Sequence, residues 1–330
     1  MRNFLTAIIA TFSFLAFINI ANSADHKFVP ALVFDMGGKF DKSFNQAAYE
    51  GAEKFKKDTG VNYKEFEVTA PTQREQAIRN MAKRGSNVVI AMGFAQAAAV
   101  EKAAKEFPNT KFAIIDMVVD LPNVRSVVFR EHEGSFLVGM AAALASKTGK
   151  VGFIGGMDIP LIRNFGAGYV EGAKYVNPNI EVFQNMTGTT PAAWNNPGKG
   201  AELAKSQFGR GADVVYAAAG GTGVGVYQAA VDEGKLAIGV DSNQNYLHPG
   251  TMLTSMLKRV DVAVYNAMKD AKDGNWSSGI ISLGVAENGV GWAVDQYNRK
   301  LISSEMEAKI NQARKDIISG KIKVKGYQSN

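Results

Sequence analysis

The chain has 330 residues, 46% of them apolar and 21% charged, with a net charge of +6 and no cysteine. It is too long for one small core and too apolar for disorder, and it suits two domains of ordinary size. The missing cysteine excludes disulfides, thiolate zinc sites, cysteine nucleophiles and a lipid-bearing N-terminal cysteine; the basic residues are scattered rather than gathered into a stripe, so no nucleic acid is expected as a partner.

Arg2 precedes an apolar run from Phe4 to Ile20, and small residues follow at Ala21-Asn-Ser-Ala24. That is the layout of an export signal, with cleavage expected after Ser23 and Ala24 as second choice. The alternative, an uncleaved anchor, fits less well because the run turns small and polar at once. No later stretch approaches the roughly 20 apolar residues of a membrane span. Residues 1–23 are therefore read as a signal peptide and the mature chain as exported, soluble and not lipidated.

Strand-like and helix-like stretches then alternate. Phe28–Phe34 reads as a strand and Ser43–Thr59 as an amphipathic helix with Ser43 as its N-cap. Tyr63–Val68 is a strand, and Thr72–Lys83 a helix opened by a capping box of Thr72 and Glu75. Asn87–Met92, Lys111–Ile115 and Val124–Phe129 read as strands, with an Ala-rich helix over Ala95–Glu106. After a helix over Glu133–Ser146 the rhythm restarts. Strands are expected over Val151–Ile154, Ile180–Met186, Val214–Ala218 and Leu236–Val240. The helices between them are Ile162–Tyr175, Gly198–Phe208 and Gly223–Glu233, the first carrying Gly166, Gly168 and Gly172 for close packing.

Beyond His248 too few residues remain for a third domain. A strand over Thr251–Leu257, a helix over Val260–Lys272, a strand over Ile280–Val285 and a final helix over Ser303–Ser319 are shared between the first two. The expected fold class is α/β, two doubly wound parallel-sheet lobes with several short crossings. The first lobe is assigned 27–131 with about 258–276, and the second 132–257 with about 277–330. Such crossings make a hinge, and ligand goes in the cleft between the lobes.

Polar residues at carboxyl ends of parallel strands face that crevice. Here they are Asp35, Asp116 and Asp241, with Gly155-Gly156 and Gly220-Gly221 beside them. Carboxylates suit Mg²⁺ or Ca²⁺, but no close Asp/Glu cluster supports a metal, and no cofactor is expected. The histidines, His26, His132 and His248, do not stand beside a serine at a strand end. Neither a Gly-x-Ser-x-Gly elbow nor a phosphate loop is present. The stretch Gly221-x-Gly223-x-Gly225 mimics a dinucleotide fingerprint, but its third glycine comes one place early. A closer reading is that Gly220 and Gly221 let backbone approach a ligand. Phe44, Asn45 and Asp35 suit a ligand with a flat face and hydroxyls. Tyr216 presents either a ring to the ligand or a core aromatic, and Lys258 stands near a crossing where it can pair with Asp241 or simply meet solvent.

Several blocks in one order carry a resemblance. They are Asp35-Met-Gly-Gly-Lys-Phe-Asp-Lys-Ser-Phe-Asn45, Ile114-Ile-Asp-Met117, Glu133-Gly-Ser-Phe-Leu-Val-Gly-Met140, Val151-Gly-Phe-Ile-Gly-Gly-Met157, Tyr216-Ala-Ala-Ala-Gly-Gly-Thr-Gly223, Gly239-Val-Asp-Ser-Asn243 and Ser255-Met-Leu-Lys-Arg-Val260. From about Phe28 onward the chain resembles the basic membrane protein (BMP) family of ABC-transporter substrate-binding proteins, whose characterised members bind purine nucleosides. The resemblance implies the type I periplasmic-binding-protein fold, with three crossings, and no enzyme activity. It implies that Phe44 and Tyr216 sandwich the base, that Asn45 and Asp116 read its edge, and that Asp35 lies near the sugar. Asp241 and Lys258 would hold ribose hydroxyls and Gly221 would give close backbone contact. Trp194 and Asn196 are not placed in the expected pocket, since Asn196 stands where relatives are expected to carry an acidic residue. Many members are lipoproteins, and this chain has no cysteine to carry a lipid. The implied function is a monomeric periplasmic receptor that delivers a purine nucleoside to an ABC permease. The alternatives are the same fold binding riboflavin or a sugar, and a periplasmic nucleoside-processing enzyme.

Overall fold

A computed structural model describes residues 28–328; the expected signal peptide lies outside the described residues. In chain order the first unit is β1 (Pro30–Phe34), α1 (Phe44–Thr59), β2 (Lys64–Glu67), α2 (Gln73–Lys83), β3 (Val88–Met92), α3 (Ala97–Glu106), β4 (Lys111–Ile115) and β5 (Val124–Phe129). The second is α4 (Glu131–Ala145), β6 (Lys150–Met157), α5 (Pro160–Val176), β7 (Glu181–Gly188), α6 (Pro197–Gly209), β8 (Val214–Ala218), α7 (Gly223–Asp232), β9 (Leu236–Asp241) and β10 (Met252–Lys258). There follow α8 (Val260–Asp273), β11 (Gly279–Leu283), β12 (Val290–Trp292) and α9 (Ser304–Ile318).

The strands form two sheets of six. The first runs β11-β5-β4-β3-β1-β2 and is parallel throughout. The second runs β12-β10-β9-β8-β6-β7, parallel except where β12 pairs antiparallel with β10. Strands β1, β3 and β8 are buried along their whole length, which is why they read as continuous apolar runs without alternation. In each sheet the chain winds first to one side and then to the other. Order reverses between β1 and β3 in the first lobe and between β6 and β8 in the second, and ligands in such sheets bind outside the strand ends at that point.

Two expectations need correction. The strand after α8 joins the first sheet, pairing with β5 from Gly279↔Arg125 to Leu283↔Phe129. The first lobe's later segment therefore runs on to Leu283 and does not stop near 276. Helix α8 packs on α1, so the chain is still in the first lobe when β11 begins. Strand β12 was not expected at all; three residues are too few to carry a periodic signal. The chain thus crosses between lobes before α4, after β10 and between β11 and β12.

Helices α4 and α5 pack unusually close. A Cβ on Gly172 would lie 1.9 Å from the Phe136 carbonyl oxygen, and one on Gly168 would lie 2.2 Å from that of His132. Only glycine permits this approach, as the Gly-rich face of α5 implied. The capping expectations fail in detail. Thr72 makes no side-chain cap; the Gln73 side chain instead accepts from Thr69 N and Ala70 N at 2.8 and 3.1 Å. Ser43 does not cap α1 with its hydroxyl either.

Candidate ligand-binding cleft

The carboxyl ends of both sheets face one cleft between the lobes, with about 630 Å³ of empty space including its mouth. Six of the expected residues line it: Asp35, Phe44, Asn45, Asp116, Asp241 and Lys258. Among the described residues no group of three His, Asp or Glu side chains is placed to hold a metal ion.

The loop after β1 is organised by Asp41, which the sequence reading passed over. Its carboxylate accepts from the backbone N–H of Ser43 (2.8 Å), Asn45 (3.0 Å) and Gln46 (3.1 Å), so Asp41 caps α1. Burial pushes its pKa up to about 7, although those three N–H groups pull it down. With Asp41 as the cap, the Ser43 hydroxyl is free to donate across the cleft to Asp241 Oδ2 at 2.5 Å. Asn45 Nδ2 donates to the carbonyls of Asp35 (3.1 Å) and Gly38 (3.2 Å), which pins the Gly37-Gly38 turn. Its Oδ1 is buried and unpaired among the described residues.

Asp35 is not a free carboxylate. Arg74 donates to its Oδ1 through Nε and Nη2, at 3.1 and 3.0 Å. Asp116, just after β4, and Asp241, the last residue of β9, stand at the ends of corresponding strands in the two lobes, and both have left-handed backbone, φ 70° and 63°. Non-glycine residues seldom adopt it, and such strain gathers at functional sites. Asp116 Oδ2 accepts from Lys258 Nζ at 2.7 Å, and its Oδ1 is buried and unpaired. The Asp241 pKa is raised, first by burial, against the pull of Lys258 and the Ser43 hydroxyl.

Lys258, only 2% exposed, is paired with Asp116 and not with Asp241 as the sequence suggested. Glu131 Oε1 stands 3.2 Å from the same ammonium. Burial lowers the lysine's pKa, but Asp116, Glu131 and Asp241 more than offset it and hold the group charged. The ammonium lies 5.4 Å from the ring centres of both Phe44 and Phe165 and 5.1 Å from Phe129, a cation on aromatic faces.

Two expected residues lie elsewhere. Tyr216 is fully buried beneath the cleft, packed against Phe153 and Tyr169 with ring centres 5.5 and 5.3 Å away. In the parallel strand β8 it points to the α4–α5 side, and its hydroxyl meets Ser135 Oγ at 3.5 Å. It is core, the alternative the sequence left open. Gly221 is buried behind the lining, and Gly220 (φ 57°) takes the lining position.

The second lobe brings two aromatics to the cleft, Phe165 from α5 and Trp194. The 3-10 turn that carries Trp194, Pro191–Trp194, is tied down by Thr222. The Thr222 hydroxyl donates to the Ala193 carbonyl (2.7 Å) and accepts from Asn196 N (2.7 Å). A Cβ on Gly156 would meet the Trp194 ring at 2.2 Å, so the indole lies against the end of β6. Asn196 caps α6 through Lys199 N and stays out of the pocket. Phe94 and Phe165 add aromatic faces to an apolar lining that also includes Met36, Leu161, Ile162, Ala218 and Val240. Phe94 follows the β3 end, which the strand-end rule had flagged only for acids and glycines.

A family model for ABC transporter substrate-binding proteins of the PnrA-like type, Bmp, matches residues 28–328. The chain belongs to the Bmp family. A Lactococcus lactis protein named as an ABC transporter nucleoside-binding protein, BmpA, is 34% identical over 317 residues, covering 89% of this chain and 88% of that one. A lipoprotein of Pyrococcus horikoshii is 37% identical over 285 residues, 80% of this chain and 69% of its own length. Among solved structures, an ABC-transporter solute-binding protein from Aeropyrum pernix superposes with a TM-score of 0.83 at 30% identity. It covers 92% of this chain and 94% of that one. As a Bmp-family member with two parallel-sheet lobes, the chain has the type I periplasmic-binding fold and belongs to a family of extracytoplasmic substrate-binding proteins of ABC transporters.

Proposed function

We propose that this chain captures a purine nucleoside in the interlobe cleft and hands it to its permease, as a monomer free in the periplasm after cleavage near Ser23. The observation that carries the reading is the pairing of flat apolar walls with unpaired buried acceptors. Phe44 from the first lobe and Trp194 from the second offer faces for a base, Trp194 taking the role expected of Tyr216. Asn45 Oδ1 and Asp116 Oδ1 are buried without donors, and a buried acceptor left unmet is costly. The ring edge of a purine supplies N–H donors to such atoms. Asp241, with one oxygen held by Ser43, has the other for a ribose hydroxyl, and Lys258 can donate to a second.

Charge supports a nucleoside over a nucleotide. Asp35, Asp41, Asp116, Asp241 and the adjoining Glu131 outnumber Lys258 and Arg74, and an added phosphate would meet that field. Stacking at about 1–3 kcal/mol per face, with two or three charged hydrogen bonds at about 1.5–3 kcal/mol each, can offset the cost of association and reach a micromolar Kd or better. The relative named as nucleoside-binding is consistent with this.

Calorimetric titration with inosine, guanosine, adenosine, ribose and riboflavin tests the reading. Purine nucleosides should bind and the others should not. Binding of riboflavin or ribose alone would replace it, and release of free base from inosine would make the chain an enzyme. For export, the intact mass of the periplasmic protein should begin at Ala24 with no acyl chain.

A further inference from the structure

Glu131 opens α4, at the first crossing between the lobes, and only 1% of it meets solvent. A buried carboxylate weakens a fold relative to a well-packed apolar side chain. The neighbouring α4 residues, Gly134 to Val138, are small or apolar and demand no charge. The two oxygens of Glu131 are nonetheless directed. Oε2 accepts from Asn164 Nδ2 at 3.1 Å. Oε1 faces Lys258 Nζ at 3.2 Å, while Asp116 Oδ2 meets the same ammonium at 2.7 Å. A lysine on its flexible stem is thus held between a first-lobe carboxylate and one at the hinge.

Asn164 is itself held from outside. Its Oδ1 accepts from Tyr327 N at 3.1 Å, which turns Nδ2 toward Glu131 and toward His132 Nδ1. The C-terminal segment is tied along α5. Lys325 N donates to Glu171 Oε2 at 3.0 Å, and the Arg163 guanidinium lies 5.5 Å from the Tyr327 ring. An unbroken series of contacts joins the chain's last described residues to the cleft.

We propose that Glu131 is a positioning residue for ligand capture: anchored through Asn164 by the C-terminal segment, it holds the Lys258 ammonium in place at the cleft wall. For its ligand the inference rests on the nucleoside reading above. The charged and titratable groups that face Glu131 are Lys258, Asp116 and, from beneath, Tyr216, while the adjacent His132 meets the same Asn164 side chain. Burial pushes the Glu131 pKa up to about 7 against the pull of Lys258, so it gains its charge as pH rises through neutrality. The His132 pKa is lowered, first by burial.

The test is inosine affinity at pH 6 and pH 8. Glu131→Gln should weaken binding about tenfold at pH 8 and under threefold at pH 6, where the wild-type carboxyl is also neutral. Asn164→Ala should show the same narrowing gap, and Glu131→Asp should recover part of the loss. At pH 8 Glu131→Gln should melt no lower than wild type. An equal gap at both pH values, or none, would overturn the assignment. If wild type takes no nucleoside, the nucleoside reading fails, and the positioning role is tested without ligand. In ¹⁵N-lysine-labelled protein at pH 8, the Lys258 Nζ resonance, assigned with Lys258→Arg, should move in Glu131→Gln; an unmoved resonance overturns it.

Discussion

At the scale of single residues, the cleft is set by which polar atoms are occupied and which are left over. Asp241 accepts from Ser43 with one oxygen; on the nucleoside proposal the other takes a ribose hydroxyl, so Asp241→Ala should weaken nucleoside binding about 100-fold, the loss expected of a buried charged hydrogen bond. Unchanged affinity would remove Asp241 from the site. Trp194→Ala should cost more than tenfold in inosine affinity, while Tyr216→Phe should cost under threefold, because the Tyr216 ring is beneath the cleft; titration of both variants separates the roles. Six of the expected residues line the cleft: Asp35, Asp116, Asp241 and Lys258 stand at parallel-strand ends, where polar side chains face the crevice, and Phe44 and Asn45 open the helix that follows β1. Tyr216 was misread because strand periodicity cannot say which face of a fully buried strand meets the cleft. Trp194 was named but left outside the pocket, because it sits in a 3-10 turn with no periodic signal and its position depends on Thr222, far along the chain. Asp41 was missed because Ser43 stood at the usual N-cap place. The left-handed backbone of Asp116 and Asp241 leaves no mark in the residue types. Glu131 also has a consequence for stability. Its pKa is about 7 when folded against an ordinary 4.5, so between those values the folded chain binds more protons than the unfolded one. The contribution of this group to stability therefore falls as pH rises through the window and levels off above it. The Tm of Glu131→Gln relative to wild type should accordingly rise from pH 5 to pH 8; a constant difference would contradict the shift.

At the scale of elements, the alternating rhythm made both sheets legible, and long apolar strands such as β1, β3 and β8 were found nearly to the residue. Strand β11 was recognised as a strand but assigned to the wrong lobe. Its residues are mostly exposed, so nothing in its pattern names the sheet that receives it. The decisive fact is the packing of α8 on α1, which a sequence alone does not display. Close packing of α4 on α5 was legible from the spacing of Gly168 and Gly172, since one face of a helix without side chains invites a neighbour. Gly172→Ala would drive a methyl group onto the Phe136 carbonyl and force the two helices apart. Overpacking of that kind costs about 1–3 kcal/mol, visible as a lower midpoint in urea unfolding. Unchanged stability would mean that α4 and α5 part more freely than their contacts imply.

At the scale of the whole molecule, the lobes are held together by side chains at the cleft as well as by the crossings. Ser43 donates to Asp241, Ser242 Oγ donates to the Ser43 carbonyl at 3.0 Å, and Gln244 Nε2 donates to the Lys42 carbonyl at 2.9 Å. These bonds join the start of α1 to the end of β9, so closure is stabilised in part by the protein's own contacts. Capture then needs only the surplus that ligand adds. Gln244→Ala should favour the open form and raise the radius of gyration of the ligand-free protein in solution scattering, with saturating nucleoside restoring the compact value. On the nucleoside proposal, this closing cleft takes an uncharged purine nucleoside. Calorimetric titration of wild-type protein with inosine, with inosine 5′-monophosphate and ribose as controls, tests it most directly. The account predicts one-to-one binding of inosine at micromolar Kd or tighter, at least 100-fold weaker binding of the monophosphate, and no measurable binding of ribose. Binding of the monophosphate as tight as that of inosine, or of ribose in place of inosine, would contradict it.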